Sequence, residues 1–173
     1  MAFNIQNFKS GVGELLRPYS YEVNIVPPNG GGRNLRLRTE SISLPGISFA
    51  EVDNYKPYGN GLTVSIPHSS TVQEITCVHN VDGEGETLQS FYDWANKIVN
   101  IDGSDKFSAY YYDDYANRDG TINVFKLDGT VVKTYILKNI YPAAYDQVQM
   151  SWGSSGEIAQ LSVTYKFESF ELV

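Results

Sequence analysis

Cysteine is almost missing from this chain. Cys77 is the only one among 173 residues, so no disulfide can close within it and folding needs no oxidant, as expected of a protein made in a cytoplasm. Histidine is nearly as scarce, with His68 and His79 alone, too few for a histidine-rich metal site. No apolar run approaches the roughly 18 residues of a membrane-spanning helix. Met1 to Phe8 has neither a charged start nor an apolar run, so a secretory leader is not expected. Cations are in the minority: 13 Lys and Arg stand against 20 Asp and Glu, a net charge of −7. Neutralising phosphates takes clustered Lys and Arg, so a DNA-gripping surface is not expected. A surface past which DNA slides without sticking stays compatible.

What the chain does have is β-forming side chains. Thirteen Tyr and eight Phe, with 42% hydrophobic residues, favour strands in a single domain large enough for a proper core. Tyr21, Val23 and Ile25 alternate with Glu22 and Asn24, the period of a half-buried strand. The Pro27–Gly32 stretch must turn. Leu35, Leu37 and Thr39 then alternate with Asn34, Arg36 and Arg38, which reads as a returning strand that closes a hairpin. Leu44-Pro45-Gly46 makes a corner, with Gly46 free to take a left-handed exit.

Further along, Gly59-Asn60-Gly61 is a strong turn signal between Val52–Tyr58 and Leu62–Ile66, giving a protruding hairpin within residues 47–67. Thr71 to His79 reads as one strand buried on both faces. A single helix is expected over about 86–99, with Leu88, Phe91, Tyr92, Ala95, Ile98 and Val99 on its apolar stripe and Glu84 and Glu86 near its positive end. The remainder reads as β. Asp128-Gly129 marks a type I′ hairpin between Thr121–Leu127 and Thr130–Lys138. Gly153 to Gly156 joins Tyr145–Trp152 to a long C-terminal strand, Ile158–Phe170. The expected fold is mainly β: a β-sandwich or partly closed β-barrel with one flanking α-helix and a protruding hairpin. Residues 1–173 form one domain, in which 1–16 is an apolar N-terminal arm carrying Phe3, Ile5 and Phe8.

Signatures of chemistry are weak. Cys77 and His79 sit two residues apart on one strand face, but a zinc site wants three or four ligands. A Cys/His hydrolase would also need an orienting group, and none is evident. The run Asp113–Gly120 resembles a calcium loop, but Tyr115 and Lys126 fall where its first and last carboxylates belong. Gly83-x-Gly85 lacks a third glycine, and Gly30-Gly31-Gly32-Arg33 lacks the Gly-Lys-Ser/Thr ending of a phosphate loop. No enzyme activity, metal or cofactor is expected. Charge is uneven, with nine acids and three bases in residues 82–119 against five acids and six bases in residues 1–58. Such a polarity would let copies attract one another head to tail.

Taken in order, several landmarks carry a resemblance. They are Arg17-Pro18, the opening hairpin, Leu44-Pro45-Gly46, Phe91-x-x-Trp94, Ile140-Tyr141-Pro142, Val148-x-Met150-x-Trp152 and the long last strand. Together they resemble the tail tube proteins of contractile-tailed bacteriophages over nearly the whole chain. The resemblance implies hexameric rings with a continuous inner barrel, stacked into a hollow tube through which phage DNA is delivered after sheath contraction. It implies copies of the same chain, sheath, baseplate and tail terminator proteins as partners, DNA passing through an acidic lumen without specific binding, and a place in the virion after assembly in the host cytoplasm. Arg17, Pro18, Leu44, Pro45 and Gly46 match the landmarks, and Phe3, Ile5, Phe8, Tyr55, Tyr58 and Asn60 are the expected inter-subunit contacts. Relatives of the same class are a baseplate tube initiator and the inner tube of a phage-derived injection or secretion machine. A different reading is a monomeric β-sandwich carbohydrate- or protein-binding module, with Tyr110, Tyr111 and Tyr112 plus Tyr55 and Tyr58 as a stacking platform.

Overall fold

The computed structural model describes residues 15–28, 32–55, 64–101, 103, 110–116, 118–154 and 156–173, with only the backbone at 32–34, 53–55 and 64. Ten strands and three helices occur among the described residues. In chain order these are β1 (Tyr21–Asn24), α1 (Gly32–Arg38), β2 (Thr39–Ile42), β3 (Ile47–Tyr55), β4 (Val64–Val72), β5 (Ile75–Asn80) and α2 (Glu86–Ile98). They are followed by α3 (Tyr112–Tyr115), β6 (Gly120–Phe125), β7 (Val131–Lys138), β8 (Tyr141–Tyr145), β9 (Gln160–Lys166) and β10 (Ser169–Leu172). The strands form a first sheet ordered β1-β6-β7-β10, a second ordered β2-β5-β9-β8, and a two-stranded ribbon β3-β4. All pairings are antiparallel. Neither four-stranded sheet closes on itself, so of the two expected architectures the open sandwich is the one formed.

Alternation builds the core. Val23, Ile122, Val124 and Leu137 turn inward from the first sheet, and Ile75, Cys77, Leu161, Val163 and Tyr165 from the second. Helix α2 completes it with Thr87, Phe91 and Trp94, at spacings of four and three residues on one helical face. The buried stripe is therefore rotated from the expected one, and Leu88 and Tyr92 are exposed. Rings decide the rotation: Phe91 stacks on His79 at 5.3 Å between centroids, and Trp94 on Tyr165 at 6.1 Å. The indole Nε1 of Trp94 donates to Tyr115 O at 3.0 Å, so burying the indole leaves no unpaired donor. At the other end of α2 the carboxylate of Asp82 accepts from the N–H groups of Glu86 (3.0 Å) and Thr87 (2.9 Å). Those bonds, rather than Glu84, satisfy the first turn and hold the Asp82 carboxyl well below its ordinary range.

Several strand expectations are corrected. The return strand at 35–39 is helix α1, and β1 pairs with β6 instead of with it. Leu35 is 2% exposed and Leu37 83%, as a helix requires, since residues two apart lie on nearly opposite sides. Arg36, turned back over β1, donates from Nε to Glu22 Oε1 at 2.7 Å, which lowers the Glu22 pKa. The strand expected over 71–79 breaks at Gln73-Glu74, dividing β4 from β5. Gly46 has no left-handed φ. A side chain there would strike that of Gln73, whose N–H donates to Gly46 O at 2.9 Å. Asp128 is not left-handed either. Gly129 is, at φ 82°, and the Lys126–Gly129 bond with a register shift at Phe125 makes a type I turn with a bulge, not type I′. Residues 112–115 form one helical turn. The C-terminal strand divides at Phe167-Glu168: β9 belongs to the second sheet and β10 crosses to the first, pairing with β7. Its expected hairpin partner over 145–152 ends early, β8 stopping at Tyr145.

Truncating Trp94→Ala should cost about 3–5 kcal/mol of stability, read as a lower urea midpoint at unchanged slope. Trp94→Phe should cost less, through the unpaired Tyr115 carbonyl. Equal losses for the two would mean that the indole N–H carries the whole contribution.

Candidate assembly surface

Among the described residues, the β3-β4 ribbon forms a sheet of its own, hydrogen-bonded to neither larger sheet. Ile47 and Phe49 follow one face of β3, while Val52 stands opposite Ile66. All four are large, apolar and exposed, Phe49 to 64%. A lone two-stranded ribbon is marginal in water, and an apolar one is an association surface. The protruding hairpin expected within residues 47–67 is this ribbon, longer at both ends than expected, although its tip, with Tyr58 and Asn60, lies outside the described residues. Tyr55 pairs with Val64 through its backbone. Phe3, Ile5 and Phe8 are also outside the described residues.

Among the described residues the two larger sheets end in four edge strands: β1 and β10 in the first, β2 and β8 in the second. Unpaired edges invite further strands. Grooves run beside the β2 edge of the second sheet and across the end of its strands. One, of about 450 Å³, is lined by Pro18, Tyr19, Tyr21 and residues 39–42 along β2. The other, of about 680 Å³, is lined by residues 71–74 with Tyr141, Lys166 and Phe167 near β8. A third, of about 780 Å³, lies in the β8–β9 connection, where Met150, Ile158 and Trp152 (105%) stand free of the core. Of the landmark residues, Arg17 and Pro18 form an exposed turn closed by Ser20 N–H to Arg17 O at 3.3 Å. Leu44 is exposed, and Pro45 and Gly46 are half-buried at the ribbon's base.

The second sheet's outward face carries mostly small polar groups, with Lys166 at one end of β9. Because Ile75, Cys77 and His79 point inward, Thr76, Val78 and Asn80 point out. They stand opposite Thr164, Ser162 and Gln160 of β9. Ser41 flanks Val78 on β2, and Ala144 flanks Thr164 on β8.

The inward face holds the Cys77–His79 pair. His79 Nε2 lies 3.0 Å from Tyr165 Oη, and Nδ1 lies 3.2 Å from Thr39 Oγ1. Both ring nitrogens are thus engaged by hydroxyls. Burial pushes the Cys77 thiol up to about 12 and His79 down to about 4. A thiol kept protonated at neutral pH is a poor nucleophile, and a neutral imidazole with two hydroxyl partners is core material. The acid-rich segment is partly spent within the chain. Arg38, from α1, reaches Asp82 at 3.0 Å and Glu86 at 3.8 Å, and Lys138 pairs with Asp119 at 2.9 Å. Of the tyrosines of the alternative platform, Tyr58 and the side chain of Tyr55 lie outside the described residues. Tyr112, Tyr115 and Tyr141 meet edge to face at 5.5–5.9 Å, and Tyr111 stands apart in solvent.

Exposed strand edges and an apolar ribbon suit a protein that associates, and the family match gives the class: a structural protein of the tube type. Residues 16–173 match the phage tail tube protein family, and the chain belongs to it. Among curated proteins none matches. Solved structures share the fold. A chain of the extracellular contractile injection system PVC, from its sheath/tube terminator in the extended state, is 19% identical with a TM-score of 0.65. That match covers 94% of this chain and 99% of the other. A chain of the anti-feeding prophage tube-terminating cap is 16% identical at a TM-score of 0.66, covering 92% and 91%. One from the PVC sheath–tube complex is 18% identical at 0.62, covering 99% of both.

Stability should depend on His79. Unfolded, it titrates near its ordinary 6.5, and folded, near 4. Between those values the unfolded chain holds the proton and the folded chain does not. Stability from this group is therefore complete above pH 6.5 and falls as pH drops to 4, by about 3 kcal/mol in all. His79→Gln should flatten denaturation midpoints across that window, and an unchanged slope would locate the acid sensitivity elsewhere.

Proposed function

We propose that the chain forms six-membered rings that stack into the hollow inner tube of a contractile phage tail, and that phage DNA leaves through this tube once the sheath contracts. One observation carries the reading: a member of the tail tube family exposes the apolar residues of its ribbon, Ile47, Phe49, Val52 and Ile66. In a ring, β2 of one copy and β8 of the next would continue the second sheet, and a neighbour would cover the ribbon. The β2 edge has an open groove beside it. Phe3, Ile5 and Phe8 of the arm, with Tyr55, Tyr58 and Asn60, are the further contacts this arrangement would use. Sheath, baseplate and terminator proteins would be its partners, the virion its destination and the host cytoplasm its place of assembly. The role is mechanical and uses no cofactor.

A second reading has specific support, because the structures that share the fold come from contractile injection systems and one from a baseplate. In that reading the same ring belongs to an injection-machine tube, its initiator or its terminator.

Electron microscopy of the purified chain at low and high concentration should show six-fold rings or hollow tubes, and a monomer at every concentration would count against both readings. Phe49→Asp should abolish assembly while leaving the monomer folded by circular dichroism. Since Arg36 and Arg38 are engaged inside the chain, assembly should depend more on the ribbon than on charge. Rings should therefore survive rising salt, and dissolution at modest salt would restore head-to-tail charge attraction as the driving force.

A further inference from the structure

The two ends of the second sheet differ in shape. At one end Gln160 stands opposite Asn80, and β8 runs out at Tyr145. From there the β8–β9 connection carries Met150, Trp152 and Ile158 into solvent, each at least two-thirds exposed. Trp152 sits on a hydrogen-bonded turn rather than a loose loop. Ser151 accepts from the Ser154 N–H at its carbonyl (3.2 Å) and from the Gly153 N–H at its hydroxyl (3.3 Å). At the other end, where Ile75 stands opposite Tyr165 and Tyr141 opposite Lys166, the surface is recessed. There the groove of about 680 Å³ lies between Thr71–Glu74, at the foot of the ribbon, and Tyr141, Lys166 and Phe167. Strand β9 runs from Gln160 to Lys166, so about 20 Å of strand separates the protrusion from the recess.

Resting on the stacked-ring reading above, we propose that the Trp152 turn of one copy seats in this groove of a copy in the next ring. The occupant is a second copy because protrusion and recess lie at opposite ends of one sheet. A contact between two different patches of the same chain repeats without closing on itself, and so builds a stack. The chemistry of the two patches matches. The protrusion brings an indole with Met150 and Ile158 beside it, and the recess offers Val72 and the half-buried rings of Tyr141 and Phe167. On the groove's rim the Lys166 ammonium lies 3.8 Å from Glu74, beyond hydrogen-bond distance. An indole face is the best aromatic partner for such a cation. Residues 146–159 hold Asp146 and Glu157 and neither Lys nor Arg, so the connection also brings acid toward that ammonium. None of the ribbon's exposed apolar residues takes part. Stacking and ring closure thereby fall to different surfaces.

Trp152→Ala tests the contact in the full chain, and because Trp152 stands free of the core the variant should keep its circular dichroism spectrum. Electron microscopy should show six-fold rings with at least about tenfold fewer tubes than the unsubstituted chain gives. Tubes at the unsubstituted yield would overturn the contact. Placement is tested with Trp152 kept, in tubes of the double variant Ser154→Cys with Glu74→Cys treated with a short bis-maleimide. Cys77 is buried and leaves the background silent. Denaturing gels should show a ladder of linked chains running past six, which links within one ring cannot produce. Neither single variant should give that ladder. Intact tubes of the double variant without it would overturn the placement. An unsubstituted chain that makes no tubes ends the stacked-ring reading and this contact with it, whereas tubes that form equally well with Trp152→Ala end the contact alone.

Discussion

Everything else in this chain depends on the aromatic contact between α2 and the second sheet. Tyr165 is fully buried, and Trp94, Phe91 and His79 lie around it at centroid distances of 6.1–6.4 Å. Each polar atom in the group is matched: the imidazole by Tyr165 and Thr39, the indole by Tyr115. Unpaired, each would cost about 1–3 kcal/mol. Because the helix occupies the inward side of β5 and β9, the outward side is left bare. The core thereby determines which face of the second sheet is available for anything beyond the chain.

From that constraint the division of surfaces follows. The inward faces meet in one cluster, the outer face of the first sheet carries mixed chemistry, and that of the second carries hydroxyls and amides. The ribbon contributes little to the core and projects its apolar residues outward. A monomer would gain nothing from such a ribbon, whereas a family whose members form tubes has a use for it. Charges that look polarised along the chain are partly cancelled in space, because Arg38 links the basic first third to Asp82 and Glu86 of the acidic middle.

Period-2 alternation by itself determined most of the β architecture. The inward residues of β1 and β9 follow from pattern alone, since a strand's side chains must alternate whatever their partners, whereas β5, expected to be buried on both faces, is buried on one. The ribbon was legible from its turn signal, the helix from its length and spacing, and the tube family from landmark order. Tertiary structure decided what local pattern leaves degenerate. Leu35-Arg36-Leu37-Arg38 alternates as a strand would, yet it coils because Leu35 finds the core and Arg36 finds Glu22 across β1. Helix α2 rolled by one position because His79 and Tyr165, remote in sequence, offered rings to Phe91 and Trp94. The last strand divided between two sheets because β7 had a free edge. Pairing partners, helix rotation and the outward face of a sheet are set by contacts between distant residues, and no local periodicity contains them.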